Sequence, residues 1–500
     1  AIKVGGTTVI DDSRQLSNIS SVDATTVAAL GTAGVGGGGG SFDMTATGSI
    51  TAGDVVALNS NGTVSTVVNQ AGDPATSLSQ AVNTSIRQVD KFPSQGVDDT
   101  RQRVVRAYAD SANSNRGTAV CGQLDNAGNI TWGTPIVFGN HSVDSNFVVV
   151  YNENNQHYFI FYKNPSTNEP AVARLSNASG TNLASVAIYS NPGNHGQCSS
   201  EGFSGVYDPN SQRVVFVWYS TGAGDGVVAT YDSSFSASTI FSSSDWAQYA
   251  DMTYDTVNNR CVHFMQINQN AATEALVIGV NASTIITGSQ VNTGVAGGVM
   301  PRCTFDPDSG KVILIGIYPS QQGYLRYGFG TVSGTSSSWT TGQILSTNIP
   351  DSETQYDVTY DTGADKLLIS YKKYNTQTAV MRQGSISGST LTLGSEVETY
   401  SSGTTRFMRL DYLPSSGMSV MTASDDVGTN HLISAVTTVV ASTNSNWFGI
   451  ADESISSGSA GKITHLGGVN ESVSGLTAGT TYYADKVGGL STTDTGQKVG

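Results

Sequence analysis

Four carboxylates stand near the start of strand-like runs: Glu153, Glu201, Asp251 and Glu353. Two of them flanking a glycosidic bond would supply the acid and the base or nucleophile of glycan cleavage. No motif couples any two, and loop carboxylates are generally solvated, so no catalytic residue is assigned. The histidines His141, His157, His195, His263, His431 and His465 are scattered, without the H-E-x-x-H spacing of a metal-binding helix. His263, inside the apolar run RCVHFM, reads as a satisfied core histidine. The turn DPDSG at 306–310 resembles a calcium loop but lacks the further acidic ligands. Neither metal nor cofactor is expected. Cys121, Cys198, Cys261 and Cys303 show no zinc spacing and imply no disulfide framework. Cys121, Cys261 and Cys303 sit in apolar contexts that suit small buried side chains. No glycine-rich phosphate loop precedes a helix.

Recognition is the better use of these residues. The chain has 21 Tyr and 5 Trp, side chains that join apolar area to a polar tip and suit carbohydrate or protein contact. Trp246, Tyr249, Tyr324, Tyr327 and Trp339 are the candidates for exposure, although many aromatics must pack inside the fold. The phrase DNAGNITW at 125–132 and the run SSSW ending at Trp339 are partial echoes of a sialidase Asp-box with stretched spacing. They do not support that activity.

The bulk composition narrows the class. Of 500 residues 57 are Gly and only 13% are charged, which disfavours long helices and suits short strands joined by tight turns. The net charge is −15, with 24 basic against 39 acidic residues, which argues against binding nucleic acid or a bare anionic membrane. No segment approaches the roughly 18 apolar residues of a spanning helix. The start, AIKVGGTTVIDD, lacks the basic and apolar regions of a signal peptide.

A repeat supplies the framework. A strand ending in Tyr-Asp or similar, a polar turn and an apolar strand recur around Tyr151, Tyr207, Tyr254, Phe305, Tyr360 and Tyr412, at spacings of 56, 47, 51, 55 and 52 residues. A second hairpin follows within each unit. An earlier copy comprises QRVVRAYAD, GTAVCGQLD and NITWGTPIVF; its first strand is TSIRQVD, with a long loop to Arg103, or else one end of the chain completes a blade begun at the other and closes the ring. In the turns, Asp208 and Asp306 are placed to bond amides two residues on, Pro209 and Pro307 preset the bend, and Asn210 or Gly310 takes unusual dihedrals. Second strands such as VVFVW are apolar throughout, as expected of strands covered on both faces. A period near 50 with two hairpins per unit predicts an all-β fold: a β-propeller of about seven four-stranded blades.

The flanks read as a separate small β module, split by the propeller. Asn61-Gly62 marks a hairpin within 45–67, and the phrase at 479–493 echoes 53–67 in layout. The organisation expected is an N-terminal attachment segment (1–30), a hinge carrying the five glycines 36–40 (31–42), the first half of the module (43–80), the propeller (81–440) and the second half of the module (441–500).

VGGTTVIDDSRQLSNI resembles the start of many tailed-bacteriophage fibre and tail-associated proteins. GDVVALNSNGTVSTV, FGIADESISSG, GLTAGTTYYAD and GGLSTT resemble a module common in structural proteins of marine and cyanobacterial phages. The likeness covers roughly the first 20 residues and about 75 residues of the flanks, and does not extend to the propeller. It implies a virion protein, a tail fibre or spike made in the host cytoplasm and usually trimeric. Residues 1–30 would bind other virion subunits, and the propeller loops a host-surface glycan or protein. A capsid- or tail-decorating subunit is the second expectation, and a host-polysaccharide depolymerase the third.

Overall fold

The computed structural model describes residues 2–4, 7–10, 41–59, 61–66, 74–77, 94–143, 145–191, 196–200, 202–221, 225–231, 235–242, 247–267, 273–281, 284–295, 299–317, 324–347, 349, 355–400, 405–425, 432–439, 447–465, 470, 472–477, 480, 482–484 and 490–491. It is almost wholly antiparallel β-structure and divides into two units: Ala71–Ser442, and Ala1–Gln70 with Thr443–Gly500.

Seven sheets of four or five strands build the larger unit. Their first strands are Ser94–Asp98, Val148–Asn152, Ser204–Asp208, Ala247–Asp255, Val299–Asp306, Tyr356–Asp361 and Thr405–Leu413, which number blades 1 to 7. Each first strand packs beside that of the next blade, and that of blade 7 beside that of blade 1, so the ring closes. The fold is a seven-bladed β-propeller, as the repeat predicts.

Closure uses both ends of the unit. Blade 7 takes its fourth strand, Pro74–Ser77, from ahead of blade 1, with Thr76 opposite Thr437 and Ala75 opposite Thr438. This corrects the boundary read from the sequence, which left 74–77 in the flanking module. Without them the edge of Leu432–Val439 would be bare. The first strand of blade 1 is Ser94–Asp98; the run TSIRQVD at 84–90 lies outside the described residues.

Each inter-blade interface has its own apolar cluster, because a single sheet leaves both faces uncovered. Second strands are buried accordingly: every residue of Arg213–Ser220 is enclosed. Between blades 2 and 3, Phe161 stacks on Phe216 at 4.9 Å and meets Trp218 at 5.6 Å. The interface of blades 6 and 7 is leaner, built on Leu368, Met381, Leu410, Met421 and Ala435.

The turns explain the Tyr-Asp repeat. Asp208 accepts from the amides of Asn210 (2.9 Å) and Ser211 (3.2 Å), and Asp306 from those of Asp308 (2.9 Å) and Ser309 (3.2 Å). Four residues after each first strand the backbone turns left-handed, at Gln102, Gln156, Gln212, Asn259, Gly310, Asp365 and Gly417. In blade 3 this residue is therefore Gln212 and not Asn210. The repeat tyrosine reaches back across the interface to lie near the aspartate of the preceding blade's turn, Tyr151 near Asp98, Tyr254 near Asp208, Tyr360 near Asp306 and Tyr412 near Asp361; Arg101 Nη1 donates to Tyr151 Oη at 3.2 Å, and the Gly363 amide to Tyr412 Oη at 3.1 Å. The turn that the carboxylate builds is thus also where one blade meets the tyrosine of the next.

The smaller unit contains a five-stranded sheet in the order Ser41–Thr45, Ala460–His465, Trp447–Ala451, Val55–Leu58, Val64–Thr66. Its strands come from both sides of the propeller in sequence. Ile50, Val56, Val64, Ile455 and Ile463 form its core. Gly62 turns the hairpin with φ +79°. Ser41 and Phe42, read as the end of the hinge, are already strand, because they pair with Thr464 and Ile463; the five glycines lie outside the described residues.

Candidate functional site: the axial channel of the propeller

The seven first strands surround a cavity of about 340 Å³. Its lining follows the repeat. Four residues before the end of each first strand stand Ser94, Val148, Ser204, Asp251, Arg302, Asp357 and Arg409, in blade order. Two residues further along stand Gly96, Val150, Val206, Thr253, Thr304, Thr359 and Asp411. Residues two apart on a strand share a face, so each set forms a layer. In these two layers blades 1 to 3 supply small and apolar groups, and blades 4 to 7 charged and hydroxyl groups.

The upper layer also joins the blades. A first strand has only one hydrogen-bonded neighbour, and its other edge needs partners. Asp251 Oδ2 accepts from the Cys303 amide at 2.9 Å, and Asp357 Oδ2 from the Leu410 amide at 2.8 Å. Ser94 Oγ accepts from the Val149 amide at 3.2 Å at the equivalent place. Arg302 Nε lies 3.8 Å from Asp357 Oδ1, an ion pair without a hydrogen bond. Arg302 Nη1 donates to its neighbour's carbonyl, Pro301 O, at 3.1 Å. Its Nε has no hydrogen-bond partner, although the residue is 7% exposed.

Charge crowding perturbs the cluster. Burial pushes the Asp411 carboxyl up to about 7, reinforced by Asp357 and opposed by the Gln95 hydrogen bond and Arg409. Burial also raises Asp357 against the pull of Arg409 and Arg302. Burial and then the neighbouring Arg302 bring Arg409 down to about 10. Behind this layer the fully buried Arg106 of blade 1 donates to Phe407 O at 2.8 Å and to Thr422 Oγ1, both in blade 7. Gln95 Nε2 donates to Val420 O at 3.1 Å. The interface that closes the ring is thus strongly polar beside the channel.

The backbone at one end of the channel is unusual. Tyr249, Met300 and Phe407, each six residues before the end of its first strand, have φ of 44°, 47° and 56°. Each lies within a break of strand register, between Gln248 and Ala250, Val299 and Arg302, and Arg406 and Arg409. These bulges immediately precede Asp251, Arg302 and Arg409.

Of the carboxylates singled out from the sequence, Asp251 and Glu153 line the channel, and Glu201 and Glu353 lie outside the described residues. Glu153 stands in the turn beyond its strand, where burial and then Asp99 and Asp98 raise its pKa. Asp251 belongs to the layer four residues before its strand's end and Glu153 stands one residue beyond its own, so the two sit at different depths, roughly 17 Å apart along a strand. Sequence reasoning missed Arg302, Asp357, Arg409 and Asp411, although aligning the repeat units on their turns would have superposed them.

Among the proposed surface aromatics, Trp246 lies outside the described residues. Tyr249 lines the channel and Tyr324 is half-buried before its strand. Tyr327 is not a surface residue. It is 5% exposed, sits in the cluster between blades 5 and 6, and donates to Gln343 Oε1 at 2.6 Å. Trp339 packs edge-on against Phe264 at 5.2 Å, over the space left by Gly330, because the fourth strand of a blade needs a large side chain to cover the interface.

His263 is a core histidine, its Nδ1 2.8 Å from Ser204 Oγ, and burial brings its pKa down to about 3. Asp125 organises its own loop through the amides of Ala127 (2.9 Å) and Asn129 (2.8 Å). Asp306 is occupied by the amides of its turn. Among the described residues no cluster of three His, Cys, Asp or Glu side chains could hold a metal. Cys121, Cys198 and Cys261 are buried and Cys303 is half-buried beside Asp251; none of the four is in a disulfide.

No protein-family model matches the sequence. No curated protein sequence matches it. Solved structures do. The periplasmic gluconolactonase of Pseudomonas aeruginosa is similar at 12% identity and TM-score 0.45, over 72% of this chain and 97% of that one. An intramolecular trans-sialidase of Ruminococcus gnavus is similar at 12% identity and TM-score 0.42, over 72% and 96%. AofleA of Arthrobotrys oligospora is similar at 7% identity and TM-score 0.42, over 66% and 95%. Several of the similar structures are therefore named as enzymes, at identities too low to carry an activity across.

Proposed function

We propose that the chain is a virion structural protein of a tailed bacteriophage, a fibre or spike whose propeller contacts the host surface. The observation that carries the reading is the order of the chain. A segment resembling a phage attachment sequence leads into a small β module, and the propeller is inserted between the two halves of that module's sheet. Loops on a rigid frame are the usual carriers of recognition. Several weak contacts per particle would add through avidity.

The test is localisation and competition. Antibodies raised against the full chain are expected to label the tails of intact particles, and excess purified chain to slow adsorption of those particles to host cells. Label on the capsid without competition would replace the reading with a decorating subunit. Release of reducing ends from host polysaccharide would replace it with a depolymerase.

A further inference from the structure

We infer that the axial channel is a binding site for one uncharged sugar ring, entered from the end marked by Tyr249, Met300 and Phe407. Three independent features meet there. The first is the cavity, whose 340 Å³ falls at the small end of ligand sites, roughly 300–1,000 Å³, and suits a single pyranose with a few waters. The second is its two-sided wall. Val148, Val150 and Val206 offer an apolar surface, and Asp251, Arg302, Asp357, Arg409 and Asp411 face them with acceptors and donors. A pyranose has the same division, an apolar C–H face and a rim of hydroxyls that both donate and accept. The third is the set of bulges at Tyr249, Met300 and Phe407, which directly precede the lining residues Asp251, Arg302 and Arg409.

The charge pattern selects a neutral ligand. The polar sector holds three carboxylates and two guanidiniums, and Glu153 adds a fourth carboxylate at another depth, so no surplus of positive charge awaits an anion. The guanidiniums interleaved among the carboxylates equally oppose a bare cation. Left-handed backbone at three non-glycine residues is costly, and bulges of this kind re-aim side chains beside functional sites. Here they set the approach to Asp251, Arg302 and Arg409. The inference rests on the receptor reading only for the source of the sugar, a host-surface glycan; capture of the sugar itself is tested separately.

The experiment is saturation-transfer NMR on the full chain with glucose, galactose and N-acetylglucosamine, and with glucuronate as the charged comparator. At least one neutral sugar is expected to receive saturation, and Arg302→Met and Asp251→Asn to weaken its binding about tenfold or more, with thermal unfolding monitored to show that both variants fold. If Arg302→Met does not fold, Thr304→Val replaces it. No transfer to any neutral sugar, transfer that survives the substitutions, or a preference for glucuronate overturns the inference. Sugar binding by a chain that fails to compete for host cells would retain the channel and remove the receptor role. Competition without sugar binding would do the reverse.

Discussion

Asp411→Asn isolates the electrostatics of the channel. The Asp411 carboxyl is raised to about 7 in the folded chain, chiefly by burial and then by Asp357. An unfolded aspartate titrates near 4, so the folded state holds this proton more tightly. The contribution to stability is therefore full below about pH 4 and is lost as pH rises through about 7. A shift of about three units at 1.36 kcal/mol each sets a ceiling of ~4 kcal/mol, reduced by the partial access of the carboxylate to the channel. Asparagine keeps the shape and an amide partner for Gln95 but cannot ionise. Urea unfolding of both proteins at intervals from pH 4 to pH 8.5 measures the difference. The wild type should lose stability relative to the variant across that window, by up to ~4 kcal/mol, with most of the change complete near pH 7. A difference independent of pH, or one that grows in the wild type's favour as pH rises, refutes the account of a crowded, buried carboxyl.

Three further outcomes are expected. His263→Gln should remove an acid-side loss of stability: the folded imidazole titrates near 3 against an ordinary 6.5, so the wild type loses stability as pH falls through that range, and unfolding at pH 4 and pH 7 will show whether the variant is flatter. Gly330→Val should destabilise by about 1–3 kcal/mol, because a Cβ at 330 would lie 2.4 Å from the Trp339 indole; equilibrium unfolding reads the loss, and near-ultraviolet circular dichroism the displaced ring. Replacing Pro74–Ser77 with a Gly-Ser linker should leave Leu432–Val439 without its outer partner, raising hydrogen exchange there while blade 3 stays protected.

Much of the ring was legible because its physics repeats. Each blade needs a turn after its first strand, and Asp with Tyr beside it recurs at the period of a sheet with two exposed faces. The turn aspartates were readable for the same reason, since their bonds are local. The Tyr-to-Asp contacts were not, because they join residues about fifty positions apart and the tyrosine alone looks like any strand aromatic. The channel was hidden more deeply. Asp251 appeared as a lone carboxylate and Arg302, Asp357 and Arg409 as unremarkable strand charges; only the circular arrangement places them in one layer. Trp339 and Tyr327 could not be sorted from surface aromatics because burial in a blade depends on what the next blade presents. That one end of the chain completes a blade begun at the other was legible as an alternative, but not which residues do so, as Pro74–Ser77 is short and more than 350 residues from its partner.

That distant pairing has a consequence for biosynthesis. The strand at 74–77 leaves the ribosome early, yet its partner Leu432–Val439 is among the last parts of the ring to emerge. The first half of the small sheet waits even longer, for Trp447–Ala451 and Ala460–His465. A chain cut short before Leu432 would thus carry two unsatisfied edges at once, an open sheet in the smaller unit and a gap in the ring. Only a chain that extends through Ala460–His465 can cover both edges, so the two sheets become complete together and late.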